Sequence, residues 1–563
     1  MKSFKIVLMA SLFSVSSVCA NGQETKQQWV ESKLNSMTLR QQIAQLFVVS
    51  CYPKQGEQHI DKVAEIIRRE QIGGMIWGEC TPTECINTLN KLQSQVNIPL
   101  LVTIDAEWGV SMRLDSVVRF PQQLTLGAIQ DNNLIYDFGV EVARQCNEIG
   151  AHFNFAPVVD VNNNPNNPVI NMRSFGENKY KVTEKSYAYM KGMQDNGILT
   201  TLKHFPGHGD TDKDSHQELP VISHNRERLD DIELYPFREL IRRGATGVMT
   251  AHLLIPALCS ENIPSSQSKA ICTDLLQNEL GFTGLILTDG LEMKGAIYNR
   301  DASKVALYSL LAGNDILEIP IDTKKSIDEI EKAVKNKTIS KKYIREKCAK
   351  VLGAKYDLGL HKPFEPINPN GILERLNTEY TKALRMKLAE GSLTLLSNKN
   401  ILPLSSERVT YIEIGQGTAF KKQIKEFCIA DTFQINNDYT KESLDSLAIN
   451  LQDAETIIIG YHSIPRGRLS IKFGINSPVT EFLDNLSKDK KVIPVFFGNP
   501  YAVAYLHGVD SFEAFIVAYD NSEEAQICSA KAIFGKQNFS GKLPITINEK
   551  YKEDFGLVMD LPF

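Results

Sequence analysis

The chain has 563 residues, 42% of them hydrophobic and 23% charged, with a formal net charge of −5 at pH 7. That length exceeds what one hydrophobic core organises, so two or three domains are expected. With no basic stripe and no long run of one sign, nucleic acid and an anionic membrane are excluded as main partners, and a small uncharged substrate fits better.

The N-terminus, MKSFKIVLMASLFSVSSVCANGQ, places two lysines before an apolar run and then small residues ending at Val18, Cys19 and Ala20. That order reads as a secretory signal peptide over residues 1–20, too short in its apolar part for a membrane span. The mature protein is therefore expected in the periplasm or outside the cell. Lipid attachment at Cys19 is the alternative, and the bulky Val18 speaks against it. No later apolar run is long enough to span a membrane. Nine cysteines remain after the signal, from Cys51 to Cys528. Their odd number and scattered spacing describe neither a disulfide framework nor a zinc site. They are expected as buried thiols, with Cys80 and Cys85 as the pair open to bridging.

From residue 46 short apolar runs alternate with amphipathic stretches. The runs are LFVVS (46–50), GGMIW (73–77), LLVTID (100–105), HFNFAPV (152–158), LTTLKHF (199–205), GVMTAH (247–252), GLILTD (284–289) and DILEIP (315–320). Segments such as HIDKVAEIIRREQ, NNLIYDFGVEVARQCNEIG, DIELYPFRELIRRG and KSIDEIEKAVKN lie between them and carry helical periodicity. Eight strand-and-helix repeats predict a (β/α)8 TIM-type barrel over residues 28–360. The stretch KPFEPINPNG, rich in proline and asparagine, marks a linker over 361–377. Beyond it a helix at about 379–391 and the runs VTYIEIG, TIIIGY, VIPVFFGNP and AFIVAYD predict a smaller α/β sandwich domain over 378–563.

In such a barrel the substrate sits at the C-terminal ends of the strands, where the βα loops converge. Strand three ends in Asp105, strand five in Lys203 and His204, strand six in His252, and strand seven in Asp289. The loop after strand four carries Asp160 and Arg173. Each has a bland alternative. Asp289 before Gly290 suits a turn, Asp105 and Asp160 suit caps, and His252 suits a hydrogen-bonded core histidine. Their joint placement at one end points to a converging polar mouth.

The segment KHFPGHGDTDKDSHQELP (203–220) then becomes the loop after strand five, directly over that mouth. Glycines and a proline rule out regular structure there. Asp214 stands two residues from His216, close enough to fix the tautomer of the ring and raise the basicity of its other nitrogen. A metal site from His204, His208, Asp210 and His216 is the competing reading, but no ligand spacing supports it, and no metal or cofactor is expected.

These residues resemble the signature of family 3 glycoside hydrolases of the β-N-acetylglucosaminidase branch. KHFPGHG followed by DSH is similar to the family's mobile loop. NFAPVVDV, NPVINMRSFG, GVMTAHLL and LTDGLEMKGAI agree with it, and EGSLTLLSN, FFGNPYAVAYL and GKLPITI resemble its second domain. The resemblance implies Asp289 as the nucleophile and His216, paired with Asp214, as the general acid/base. It implies Asp105, Arg173, Lys203 and His204 as ligands of the terminal sugar hydroxyls. It leaves the roles of Asp160 and His252 open. The implied activity is exo-acting removal of non-reducing terminal N-acetylglucosamine with retention of configuration, from peptidoglycan fragments or chitooligosaccharides. A histidine in the acid/base place leaves phosphorolysis open beside hydrolysis. A β-glucosidase of the same family and an inactive sugar-binding protein are the rival readings. One segment departs from the family's usual D-Q-E-G-G-R-V-x-R. It reads DAEWGVSMR (105–113), with Ala106 for Gln, Trp108 for Gly and Val110 for Arg, and Trp108 is expected to pack rather than to stack on a sugar. Oligomeric state is not readable from the chain.

Overall fold

The computed structural model describes residues 24–559, except 216, 406, 436–438, 463–472, 474 and 476. The segment predicted as a signal peptide, residues 1–20, lies outside the described residues, as does His216. Eight parallel strands form the first sheet: β1 (Phe47–Cys51), β2 (Gly74–Trp77), β3 (Leu101–Ile104), β4 (Phe153–Asn154), β5 (Leu199–Phe205), β6 (Gly247–Thr250), β7 (Leu285–Thr288) and β8 (Leu317–Glu318). Their order, 7-6-5-4-3-2-1-8, runs round the ring. It closes where Leu287 bridges Ile316 and the Thr288 N–H donates to the Ile316 carbonyl at 3.1 Å. The predicted barrel is therefore present.

The helices between strands form for the reason their sequences suggest. Over Glu57–Glu70, Ile60, Val63, Ala64 and Ile67 fall on one face and are buried, while Arg68 and Arg69 stand in the last turn, where cations suit the helix dipole. The N-cap threonines Thr25, Thr38 and Thr81 each form a reciprocal capping box with Gln28, Gln41 and Glu84. The fourth apolar run gives a strand of only two residues. Its remainder continues as a loop that still feeds the ladder, with Thr201 N–H donating to the Ala156 carbonyl and Lys203 N–H to that of Pro157.

A second sheet comprises β9 (Thr394–Asn398), β10 (Arg408–Ile414), β11 (Ile429–Ile435), β12 (Thr456–Tyr461), β13 (Lys491–Phe496) and β14 (Ala514–Val517). Its order is 11-10-12-13-14-9, with β9 antiparallel at the edge. Both faces are covered. Ile457 and Ile459 of β12 enter one apolar core and Ile458 the other, which explains an unbroken apolar run where a half-exposed strand would alternate. Between the sheets, residues 361–371 have no regular element, yet Ile367 is clamped to the barrel by two hydrogen bonds with the Asn90 side chain. The nine cysteines from Cys51 to Cys528 are free thiols, Cys80 and Cys85 included. Among the described residues no helix is long and apolar enough to cross a membrane.

The second domain reaches back to the barrel at one place that bears on the site. Asn499 Nδ2 donates to Asn171 Oδ1 at 2.7 Å, and Asn162 Nδ2 donates to the Tyr501 hydroxyl at 3.0 Å. Both contacts brace the long loop after β4, from which Arg173 projects.

Candidate active site

Five side chains, from the loops after β3 and β4 and from β5 itself, lock together at the C-terminal ends of the strands. Lys203 Nζ lies 2.8 Å from Asp105 Oδ1 and 2.9 Å from Glu107 Oε1. Arg173 grips Glu107 with two parallel bonds, Nε to Oε2 at 2.9 Å and Nη2 to Oε1 at 2.7 Å. Arg113 Nη2 donates to Asp105 Oδ2 at 2.5 Å. Such bidentate and charge-assisted bonds fix direction as well as energy. Glu107 and Lys203 are almost wholly buried, whereas Asp105 keeps 17% of its side chain and Arg173 21% exposed towards the mouth. Burial alone would raise the Glu107 carboxyl, but the Arg173 guanidinium and the Lys203 ammonium outweigh it and pull it down to about 2. Asp105 is likewise held below the usual carboxylate range by Lys203 and Arg113, against the opposing effect of burial.

His204 is set by a second acid. Asp160 Oδ2 lies 2.7 Å from His204 Nδ1, and the carboxylate also accepts the backbone N–H groups of His204 and His208. The other ring nitrogen, Nε2, faces Arg173 Nη2 at 3.4 Å. A guanidinium can only donate, so Nε2 faces the arginine as the acceptor while Nδ1 faces the Asp160 carboxylate. Asp160 therefore positions His204 and is itself buried. His208 points away into the loop, with Nδ1 2.8 Å from the Thr211 hydroxyl and Nε2 3.2 Å from that of Ser215. Burial, with His204 next, pushes its ring down to about 4.

Asp289 follows β7 and is half-buried at the same mouth. Its Oδ1 accepts the N–H of Gly290 at 2.8 Å. Burial acts to raise its carboxyl, but the neighbouring His204 and His252 rings, the Gly290 N–H and Lys203 leave it lowered, so it is ionised at neutral pH. His252 sits behind it with Nδ1 2.8 Å from the Ser266 hydroxyl and Nε2 3.1 Å from the Gly290 carbonyl. This is the hydrogen-bonded core histidine considered above, and it fixes the backbone that presents Asp289.

The loop after β5 packs against the loop after β4, where Asn167 Nδ2 donates to the carbonyls of His208 and Gly209. Gly209 allows it to cross Val161, whose carbonyl oxygen would be 1.8 Å from a Cβ at that position. The carbonyl of Asp214 accepts the N–H groups of Gln217 and Glu218. Gly295 N–H donates to the Ser215 carbonyl at 3.2 Å, so the residue before His216 is tied to a point six residues past Asp289. At the foot of the loop His224 Nε2 lies 2.6 Å from Asp210 Oδ2, and Arg228 Nη1 donates to both oxygens of Glu233. Asp210, His224 and Glu233 come within ligand distance of one another, but the arginine among them already neutralises Glu233.

Sequence reasoning missed Glu107 and Arg113, although both lie in the DAEWGVSMR segment. Val110, in place of the usual arginine, is fully buried, and Arg113 supplies Asp105 with its guanidinium. Trp108 is half-buried, with the Arg119 guanidinium 5.4 Å from its ring centre. A separate cavity of about 360 Å³ lies where the domains meet, lined by Arg119, Thr125, Met172, Arg385, Asn499 and Asp520 among others, and none of the acids of the mouth lines it.

The barrel mouth thus gathers carboxylates, a lysine, arginines and an oriented histidine. The profile of the glycosyl hydrolase family 3 N-terminal domain matches residues 38–354, and the chain belongs to that family of glycoside hydrolases. It is 27% identical over 559 residues to β-hexosaminidase A of Pseudoalteromonas piscicida, an alignment spanning 86% of this chain and 91% of that protein. The structure of a family 3 β-N-acetylglucosaminidase from Paenibacillus sp. str. FPU-7 superposes with a TM-score of 0.76 at 28% identity, covering 91% of this chain and 99% of the other. A β-glucoside phosphorylase shares the fold, with a TM-score of 0.79 at 22% identity over 94% and 97% of the two chains.

Proposed function

We propose that this enzyme is an exo-acting, retaining β-N-acetylglucosaminidase that removes non-reducing terminal N-acetylglucosamine. The observation that carries the reading is the ionised Asp289 beside the Asp105, Lys203, Glu107, Arg173 and His204 cluster, a nucleophile next to a rigid set of hydroxyl ligands. The names of the relatives support the acetamido sugar.

In the reaction proposed, a carboxylate oxygen of Asp289 attacks the anomeric carbon. The bond to the leaving oxygen breaks with its electron pair, and His216 supplies that oxygen with a proton. His216, oriented by Asp214, then takes a proton from water, which attacks the same carbon and returns Asp289 to the carboxylate. Two inversions at one carbon give net retention. The N-terminal segment is proposed to export the protein, which favours peptidoglycan fragments as the substrate over chitooligosaccharides.

The test is release of 4-nitrophenol from its N-acetyl-β-glucosaminide and from its β-glucoside, with and without phosphate. Turnover of the acetamido sugar alone is expected, and Asp289→Ala is expected to lower it by at least roughly three orders of magnitude. Dependence on phosphate would make the enzyme a phosphorylase, and preference for the glucoside would make it a β-glucosidase. A folded protein that turns over neither would be a sugar-binding protein.

A further inference from the structure

The strand-end rule leaves one acid of the mouth without a task. Glu318 is the last residue of β8, 4% exposed, and its Oε2 is buried with no hydrogen-bond partner among the described residues. Its direction follows from the ladder. Leu287 and Asp289 share one face of β7, and Leu287 bridges Ile316, so Ile316 and Glu318 share that same face on the neighbouring strand. The backbone is pinned on both sides: Glu318 N–H donates to the Thr288 hydroxyl at 3.0 Å, and Leu291 N–H donates to the Glu318 carbonyl at 2.9 Å. The carboxyl is thus aimed into the barrel mouth from the strand next to that of Asp289.

We propose that Glu318 is a substrate-contacting, specificity-determining residue whose protonated carboxyl donates a hydrogen bond to an oxygen of the terminal sugar. This rests on the reading of the mouth as a sugar site. The charge balance supports the neutral form. Asp105, Glu107, Asp160 and Asp289 face only three fixed cations, Lys203, Arg113 and Arg173, so an ionised Glu318 would add a second uncompensated negative charge in a buried place. The groups facing it are Tyr52 after β1, Asp105 and Arg113 after β3, Lys203 on β5 and Asp289 after β7. Burial first, then the Asp105 and Asp289 charges, push the Glu318 carboxyl well above the usual range, against the pull of Lys203 and Arg113. A carboxylic acid held neutral at pH 7 offers a donor that none of the neighbouring carboxylates can offer. A sugar oxygen arriving there satisfies a group that nothing else in the described structure satisfies.

The test compares wild type, Glu318→Gln and Glu318→Leu on whichever of the acetamido glucoside and the glucoside the wild type turns over, with calorimetric binding of N-acetylglucosamine and of glucose alongside. Failure of the acetamido reading therefore leaves this test standing. Glutamine keeps a donor and cannot ionise. It is expected to stay within a few-fold of wild type at pH 7 and to abolish the rise in KM that the wild type shows as alkaline pH deprotonates Glu318. Leucine is expected to lose roughly 10- to 100-fold in kcat/KM and in sugar affinity, the effect of removing one partner of a buried hydrogen bond, with Tm unchanged or raised. A merely structural acid would show the reverse, a lower Tm in both variants with KM and affinity intact. That result, or equal sugar affinity in wild type and Glu318→Leu, overturns the proposal.

Discussion

Replacing Glu107 by glutamine tests whether the ion cluster is what holds the side chains of the barrel mouth in place. In the native protein Glu107 is fully buried and accepts two bonds from Arg173 and one from Lys203. Its carboxyl falls from the ordinary 4.5 to about 2, which corresponds to about 3 kcal/mol at about 1.4 kcal/mol per tenfold change in proton affinity. Breaking a buried ion pair by removing one partner costs about 3–5 kcal/mol, because the other charge stays behind without compensation. The two figures agree, so Glu107→Gln is expected to destabilise the barrel by about 3 kcal/mol at pH 7. The sign of the pH dependence follows. A carboxyl whose folded pKa is depressed contributes its full stability above the unfolded value and loses it as pH falls through the folded one. The gap between wild type and variant should therefore be constant from pH 7 to 5, begin to close below about 4.5, and continue closing towards about 2. Urea unfolding followed by tryptophan fluorescence measures it, because Trp29, Trp77 and Trp108, the only tryptophans, all lie in the barrel part of the chain. A gap that does not change between pH 5 and 3, or a variant as stable as wild type, would refute the reasoning.

Two other perturbations follow from the same geometry. Asp160→Asn puts an amide N–H against the His204 and His208 donors. It is expected to free the His204 ring and lower kcat/KM by roughly 10- to 100-fold, with a changed pH profile that a loss of stability alone would not produce. At the base of the barrel Lys355 is fully buried, donates to Gln45 Oε1 at 2.9 Å, and is pulled by burial down to about 7. Its folded pKa lies below the unfolded one, so the folded state gains relative stability as pH rises from about 7 towards 10.5. Lys355→Met is expected to raise Tm at pH 6 and to lose that advantage by about pH 10. Thermal unfolding at the two pH values decides it, and a lower Tm at pH 6 would mean that the Gln45 bond outweighs the buried charge.

The barrel was legible because parallel strands are apolar on both faces, and TIIIGY in the second sheet coincides with β12 for the same reason. β11 escaped because it is an edge strand. Its sequence, IADTFQI, mixes exposed and half-buried positions and offers no apolar run. The site divides along a similar line. Asp105, Lys203, His204 and Asp289 stand at strand ends, where position alone predicts the end of the barrel they occupy, and the structure brings them to one mouth. Glu107 is one acid in a loop, and its meaning depends on Arg173, which lies 66 residues away and meets it only after β3 and the β4 loop are folded. Arg113 was hidden by Val110, since a lost arginine in the motif drew attention from the one that remains. Glu318 is the instructive case, because the rule that found Asp105 and Asp289 applies to it unchanged. DILEIP ends strand eight with a carboxylate, but inside an apolar run it reads as an interruption of a strand. Only the register, Leu287 against Ile316, turns that interruption towards the mouth. What the sequence lacks is therefore parity. Strand ends can be read from composition, whereas which of two adjacent residues faces the substrate is set by the ladder that closes the ring.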